Sequence, residues 1–191
     1  MKSTCRTAVL FVAAIVVVQA QDTRYDLILR NARVIDGTGN PWYRGDIAIR
    51  GDQIANIARR IDAPANRIID AANQVIAPGF VDVHVHAFGS GRTPALLPII
   101  EVPTADNYVR QGVTTLITGP DGFSPVPLRT AFELVAKTRI TPNLGAFIGH
   151  GSVRDAVFGS VNRAPSADEL ERMRTLVREG MRDGAFGLST G

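Results

Sequence analysis

Cysteine is almost absent from this chain, which has a single one among 191 residues. That residue, Cys5, lies close to the N-terminus, so the rest of the chain can form no internal disulfide bond and can offer no thiolate to a metal. Histidine is also scarce, with three in the chain, at His84, His86 and His150. Any metal that this protein binds must therefore be held by histidines and carboxylates.

Dense positive charge and long apolar runs are missing as well. The formal net charge is +3, and Lys2 and Arg6 contribute two of the positive charges. No cluster of lysine and arginine with interleaved aromatic residues follows them, which argues against a nucleic-acid partner. The apolar run at residues 8–18 is shorter than the about 20 residues that a membrane-spanning helix needs.

The first twenty residues have the layout of a secretory signal peptide. Lys2 and Arg6 precede the apolar run, and the sequence Val-Gln-Ala at 18–20 is typical of a cleavage site. We therefore predict a signal peptide at residues 1–20, a secreted or periplasmic protein, and membrane contact only through this segment during export. The alternative is an uncleaved N-terminal anchor.

Residues 21–77 have the pattern of a small β module. Short apolar strands alternate with turn residues, and Gly51 and Asp52 separate two such strands in the manner of a hairpin. The segment predicts a β-sandwich-like module.

Residues 78–191 alternate strands with helices. Strands are predicted at 80–86, 113–118, 144–149 and 186–190, and helices at 104–111, 127–139 and 166–182. Ser166 and Glu169 fit a capping box at the start of the last helix. This alternation favours parallel pairing, and units of roughly 30–40 residues are usual in a (β/α)₈ barrel. The predicted fold class is α/β, with the β module followed by the first half, about four units, of a TIM-type barrel.

The candidate metal ligands lie on the first strand of this second region. Strand alternation over residues 80–86 places Asp82, His84 and His86 on one face. Two imidazoles two residues apart can bind one cation, and Asp82 can orient one of them as a hydrogen-bond acceptor. The alternative is a pair of ordinary polar residues on a half-exposed strand. Their place at the C-terminal end of a barrel strand favours the metal site.

Several segments resemble one known family. Residues 77–86, Ala-Pro-Gly-Phe-Val-Asp-Val-His-Val-His, resemble the opening of the catalytic barrel in the amidohydrolase superfamily. Residues 111–115 and 119–122, 149–154 and 184–191 are similar to strand two, the strand-three loop and strand four of the N-acyl-D-amino-acid deacylases, or D-aminoacylases. The resemblance extends from about Asp26 to Gly191.

The resemblance implies a metal-dependent hydrolase for non-peptide C–N bonds, with a small N-acylated amino acid or related amide as substrate. It implies one or two ions of Zn²⁺ or another divalent metal, bound by His84 and His86. The family's ligand after strand two, often a cysteine, falls at Asp121 here, and a carboxylate can also bind zinc. The alternative for Asp121 is a turn residue in Pro-Asp-Gly.

By the same resemblance, three further residues lie near the substrate. His150 would contact substrate or support the site, Arg154 would pair with a carboxylate, and Ser189 would line the pocket. The alternative for His150 is a structural residue in a glycine-rich loop. Relatives of the hydantoinase and dihydroorotase type use a carboxylated lysine at the end of strand four. They are disfavoured because Lys2 and Lys137 are the two lysines of this chain.

The resemblance also implies that part of the active site is missing. The family's general-base aspartate and two more histidines come from later strands, so we expect them beyond Gly191 and expect this chain alone to be inactive. Three alternatives stay open: a truncated, non-catalytic paralogue that binds metal or a partner, an amidohydrolase for another cyclic or linear amide, and a carbohydrate- or peptide-binding β module.

Overall fold

A computed structural model describes residues 24–89 and 98–191. The predicted signal peptide at 1–20 lies outside these residues. The chain divides into two compact units, Met1–Pro78 and Gly79–Gly191. Among the helices of the described ranges, none is long and apolar enough to cross a membrane.

From residue 24 onward, the first unit contains one five-stranded sheet, in the order β3-β2-β1-β4 with β5 also paired to β1. Its strands are β1 (Tyr25–Val34), β2 (Tyr43–Arg50), β3 (Gln53–Ala58), β4 (Ala65–Asp70) and β5 (Val75–Ile76). β1, β2 and β3 pair antiparallel, whereas β4 and β5 pair in parallel with β1. The predicted hairpin at Gly51 is confirmed, and this glycine has the positive φ of 59° that a tight turn requires.

A buried carboxylate joins three segments of the first unit. Asp46 is 4% exposed, in a region where Ile28 and Ala48 are fully buried. Its two oxygens accept hydrogen bonds from the backbone N–H groups of Asn31 and Ile61, each at 3.0 Å. Because a buried carboxylate is costly without such partners, these bonds connect β1 and the segment after β3 to β2.

The second unit contains parallel strands, as the sequence predicted. β6 (Phe80–Val85), β7 (Val113–Thr118) and β8 (Asn143–Ala146) form one parallel sheet in that order. β9 (Ile148–Gly149) pairs in parallel with β10 (Leu188–Ser189). The predicted strand at 144–149 is thus divided: its first part pairs with β7 and its second part with β10.

In the described part of this unit, five helices accompany these strands: α1 (Pro98–Glu101), α2 (Asp106–Val109), α3 (Leu128–Thr138), α4 (His150–Phe158) and α5 (Ala167–Arg182). The predicted helix at 104–111 is reduced to the single turn of α2. α4 corrects the prediction, because the sequence analysis assigned a glycine-rich loop to this region. Gly151 and Ser152 are poor helix formers, and burial of Val153 stabilises the helix instead.

The core of the second unit lies between the strands and α3, α4 and α5. Leu116 of β7, Leu128 of α3 and Val153 of α4 are fully buried in it. Gly180 of α5 lies directly against Ile148 of β9, where an added Cβ would stand 3.1 Å from the isoleucine side chain. This close approach fixes the position of α5 beside the strand that precedes α4.

The predicted capping box at the start of α5 is confirmed. The Ser166 hydroxyl accepts from the Glu169 backbone N–H at 3.2 Å, and the Glu169 carboxylate accepts from the Ser166 N–H at 2.8 Å. Arg163 donates two further hydrogen bonds to this carboxylate, at 2.6 and 2.7 Å. The bonds from Arg163, followed by the one from the Ser166 N–H, lower the pKa of Glu169 from 4.5 to about 2.

Replacing Asp46 with alanine should leave two backbone N–H groups without their acceptor and lower the free energy of unfolding by about 1–3 kcal/mol. Urea unfolding followed by the fluorescence of Trp42, the single tryptophan of the chain, measures this in the first unit. Asp52→Ala, at an exposed turn position, is the control and should change stability by less than about 0.5 kcal/mol. Equal unfolding midpoints for the two variants would contradict the role of Asp46.

The capping box should make stability depend on pH through Glu169. Since the folded-state pKa lies below 4.5, the stabilisation by the ionised carboxylate is complete above pH 4.5 and is lost as the pH falls towards 2. The difference in urea midpoint between the unmodified chain and Glu169→Gln should therefore shrink over this range. Glu179→Gln, on the same helix, controls for the loss of one charge. A constant difference from pH 7 to pH 2 would contradict the prediction.

Candidate metal centre

His84 and His86 lie at the C-terminal end of β6 and project from the same side. Val85 between them is 2% exposed and packs into the core, so strand alternation turns both imidazoles away from it. The two rings have their centroids 5.8 Å apart and are inclined by 72°. The predicted common face of the two histidines is thus present.

Asp121 approaches these imidazoles from the turn that follows β7, which we call the Asp121 turn (residues 119–122). Gly119, Asp121 and Gly122 have φ angles of 80°, 59° and 76°. Glycine adopts this region readily, but an aspartate there carries a steric cost. The reversal of the chain brings Asp121 Oδ2 to 3.5 Å from His84 Nε2 and to 3.5 Å from His86 Nε2.

The three side chains form what we call the metal cluster (His84, His86 and Asp121). Within residues 24–89 and 98–191, these are the side chains whose ligand atoms lie close enough to hold a metal, all within 4.8 Å of one another. The 3.5 Å separations exceed the about 2.7–3.2 Å of a good N–H···O hydrogen bond. They are close to the about 3.3–3.4 Å between neighbouring ligands of tetrahedral zinc with bonds of about 2.0–2.1 Å. The spacing therefore fits a shared cation.

The donor set also fits a divalent metal. Two imidazoles and one carboxylate are nitrogen and oxygen ligands that suit zinc and its neighbours in the first transition row. The side chains of His84, His86 and Asp121 are 62%, 53% and 51% exposed. Three protein ligands leave further coordination positions on the exposed side of the cluster.

Asp82 makes a different contact from the one the sequence predicted. Its Oδ1 accepts a hydrogen bond from the backbone N–H of His84 at 3.1 Å, whereas the prediction was a contact with an imidazole. The pairing of β6 with β7 changes register between Asp82 and Val85, so His84 lies in an irregular part of the ladder. The carboxylate therefore holds the backbone of His84 rather than its ring.

His150 and Arg154 both lie on α4. His150 lies outside the metal cluster and lines a groove with Val153 of the same helix and Leu188 of β10. Arg154 Nη2 donates hydrogen bonds to the carbonyl oxygens of Val161 and Arg163, at 2.5 and 2.7 Å. Its guanidinium thus already binds the segment after α4, and the substrate roles of both residues stay predictions.

Ser189 lies beside the Asp121 turn. Its hydroxyl donates to the carbonyl oxygen of Gly119 at 2.6 Å and accepts from the N–H of Gly122 at 3.2 Å. Ser189 therefore contacts the turn that carries Asp121, and its place in a substrate pocket stays a prediction.

Two buried serines near the Asp121 turn were missed by the sequence analysis. Ser124 Oγ accepts from the N–H of Gly149 at 2.8 Å, and Ser152 Oγ accepts from the N–H of Ser124 at 3.0 Å. The N–H of Ser152 in turn donates to the carbonyl oxygen of Gly122 at 3.1 Å. The signal in the sequence is small polar residues directly beside the glycine-rich ends of two predicted strands.

Several known proteins with similar sequences are deacylases. No protein-family model matches the chain. It is 34% identical to the D-aminoacylase of Alcaligenes xylosoxydans xylosoxydans, over 91% of this chain and 39% of that protein. It is also 34% identical to the N-acyl-D-aspartate deacylase of the same organism, over 87% of this chain and 36% of that protein. The chain thus spans less than half the length of these relatives.

Solved structures similar to this chain also include deacylases. The N-acyl-D-glutamate deacylase of Bordetella bronchiseptica, in complex with zinc and a phosphonate inhibitor, has a TM-score of 0.78 and 28% identity, over 88% of this chain and 38% of that one. A D-aminoacylase with a binuclear metal centre has a TM-score of 0.77 and 29% identity, over 87% of this chain and 38% of that one. The L-hydantoinase of Arthrobacter aurescens, at 22% identity and a TM-score of 0.53, shares the fold.

The metal cluster predicts that the chain binds Co²⁺ and Zn²⁺. Replacing both His84 and His86 with alanine should lower the affinity for Co²⁺ by more than about 100-fold, because loss of ligands exceeds the about 10–100-fold effect of losing their supporting contacts. Cobalt absorption spectra and calorimetric titration measure this.

His150→Ala is the matched control and should leave the Co²⁺ affinity within about twofold, since His150 lies outside the cluster. Alkylation of Cys5 should have no effect either, because the proposed ligands include no thiolate. Unchanged binding in the variant that lacks both His84 and His86 would contradict the assignment of the site.

Proposed function

Since this chain is a homologue of the D-aminoacylases, which are amidohydrolases, we propose that it supplies the metal-binding part of a hydrolase acting on the amide bond of small N-acylated amino acids. The observation that carries the proposal is the convergence of His84, His86 and Asp121 at the ends of two paired parallel strands. That placement is where (β/α)₈ enzymes hold their catalytic groups.

The proposed architecture is a β-sandwich-like module, residues 21–77, followed by the first half of a TIM-type barrel, residues 78–191. The solved relatives are TIM-barrel amidohydrolases. The succession of parallel strands supports this reading, because β6 pairs with β7, β7 with β8, and β9 with β10 in the order of the chain. The remaining barrel strands, and the general-base aspartate with two further histidines, would follow Gly191.

A divalent ion at the metal cluster would supply Lewis-acid chemistry, in which the pKa of water falls towards about 7 and the amide carbonyl is polarised. His84, His86 and Asp121 would hold it through their imidazole nitrogens and a carboxylate oxygen. Asp82 accepts a hydrogen bond from the His84 N–H and so restrains the backbone from which that imidazole projects. The open side of the cluster would receive the amide.

The metal is proposed to be Zn²⁺ or another divalent ion, present as one or two ions. One similar structure contains zinc, and another has a binuclear centre. The donor set in this chain contains no sulfur, so it would tolerate harder ions such as Co²⁺ and Mn²⁺ better than a thiolate site would.

The substrate is proposed to be an N-acyl-D-amino acid or a related amide. The relatives are named as a D-aminoacylase and as deacylases of N-acyl-D-aspartate and N-acyl-D-glutamate. His150, Arg154 and Ser189 remain the proposed supporting or substrate-contacting residues. The proposal includes export through the signal peptide at residues 1–20 and no nucleic-acid partner.

The test is hydrolysis of N-acetyl-D-amino acids, measured as release of the free amino acid. A protein in which this chain continues to the length of its relatives should hydrolyse the D-enantiomer and leave the L-enantiomer largely intact. Asp121→Ala should lower its kcat/KM by more than about 100-fold, because a ligand of the catalytic ion is lost.

The chain by itself should show no turnover, because the proposed general base follows Gly191. Turnover by the chain alone would refute this division of the active site. Hydrolysis by the longer protein that is insensitive to loss of both His84 and His86 would refute the metal-dependent mechanism.

A further inference from the structure

The Asp121 turn has a backbone that needs external support. Asp121 itself has a φ of 59°, between two glycines, Gly119 and Gly122, that also have positive φ angles. A residue other than glycine adopts this region where surrounding contacts determine it. The direction of the Asp121 carboxylate therefore depends on what holds the turn.

The Ser189 hydroxyl forms hydrogen bonds with the backbone on both sides of Asp121. Its hydroxyl hydrogen goes to the carbonyl oxygen of Gly119, two residues before Asp121, and its oxygen receives the N–H of Gly122, directly after it. A serine hydroxyl has one hydrogen to donate. That hydrogen is used on this turn, so Ser189 acts as a bridge across the residue that carries the carboxylate.

The position of Ser189 is itself fixed by the sheet. Ser189 lies opposite Gly149 in the parallel pairing of β10 with β9. Gly149 also allows the turn to approach, because a Cβ there would stand 2.4 Å from the Gly122 carbonyl oxygen. That oxygen accepts the N–H of Ser152 at the start of α4. The turn is therefore held between α4 and β10, and the hydroxyl of Ser189 binds it from β10.

We propose that Ser189 is a positioning residue that directs the Asp121 carboxylate towards His84 and His86, so that it sets metal affinity without being a ligand. The inference rests on the proposed metal site. Ser189 acts through Asp121, and its removal should weaken the metal site while leaving the two imidazoles in place.

The test measures Co²⁺ affinity and the Co²⁺ absorption spectrum of the full chain. Ser189→Ala should lower the affinity by about 10–100-fold, the usual effect of removing a group that orients a ligand, and should change the absorption bands. Ser189→Thr and Ser189→Val have nearly the same shape and differ in the hydroxyl. The threonine variant should bind within about threefold of the unmodified chain, and the valine variant should bind as weakly as the alanine variant.

Ser166→Ala is the matched control, because it removes a serine hydroxyl that also binds a backbone N–H, at the N-terminus of α5. It should leave Co²⁺ affinity within about twofold. Circular dichroism shows whether each variant is folded. The comparison of threonine with valine keeps the test informative even if Ser189→Ala lowers the stability of the unit.

A double-mutant cycle with Asp121→Ala separates positioning from a general structural effect. If Ser189 acts through Asp121, Ser189→Ala should cause no further loss in the Asp121→Ala background. An equal loss in both backgrounds, or equal affinities of the threonine and valine variants, would overturn the inference. In those outcomes Asp121→Ala would still weaken Co²⁺ binding, so the proposed metal site would be retained and only the role of Ser189 would be rejected. If the unmodified chain does not bind Co²⁺, or Asp121→Ala has no effect, both proposals fall.

Discussion

Parallel pairing of β6 with β7 is the interaction on which the candidate metal centre depends. Paired parallel strands end at the same edge of a sheet, so residues that directly follow them become neighbours although they are distant in sequence. At this edge His84 lies in β6 and His86 directly follows it, and Asp121 lies in the turn after β7. Buried Leu116 and Val85 hold the two strands to the core, and the packing beneath the sheet therefore supports the chemistry at its edge.

Glycine residues and serine hydroxyl groups control the direction of the Asp121 carboxylate. Gly149 leaves the space in which the Asp121 turn lies, and Ser189 binds backbone groups of that turn. Beside it, the hydroxyls of Ser124 and Ser152 accept hydrogen bonds from the N–H groups of Gly149 and Ser124. Such bonds are directional, whereas apolar packing is not. Packing can thus bring the two strand ends together, but the hydrogen bonds decide where Asp121 points.

Local signals in the sequence predicted much of the second unit. The strand at 113–118 is found with the predicted ends, and the capping box of Ser166 marks the start of α5 because both of its hydrogen bonds form within four residues. The start of α4 could not be predicted, since it depends on burial of Val153 against distant elements. The contact of Asp82 with the His84 backbone follows from a register change in β6, which is a property of the pairing with β7.

The sequence by itself determined which side chains are available to a metal. With one cysteine near the N-terminus and three histidines, the donors had to be imidazoles and carboxylates, and strand alternation put His84 and His86 on one side. Only the tertiary structure decided that Asp121 joins them, that His150 stays apart, and that Ser189 holds the turn. The reason is physical: alternation is a property of one strand, whereas these contacts join segments whose distance is set by the pairing of strands and the packing of helices.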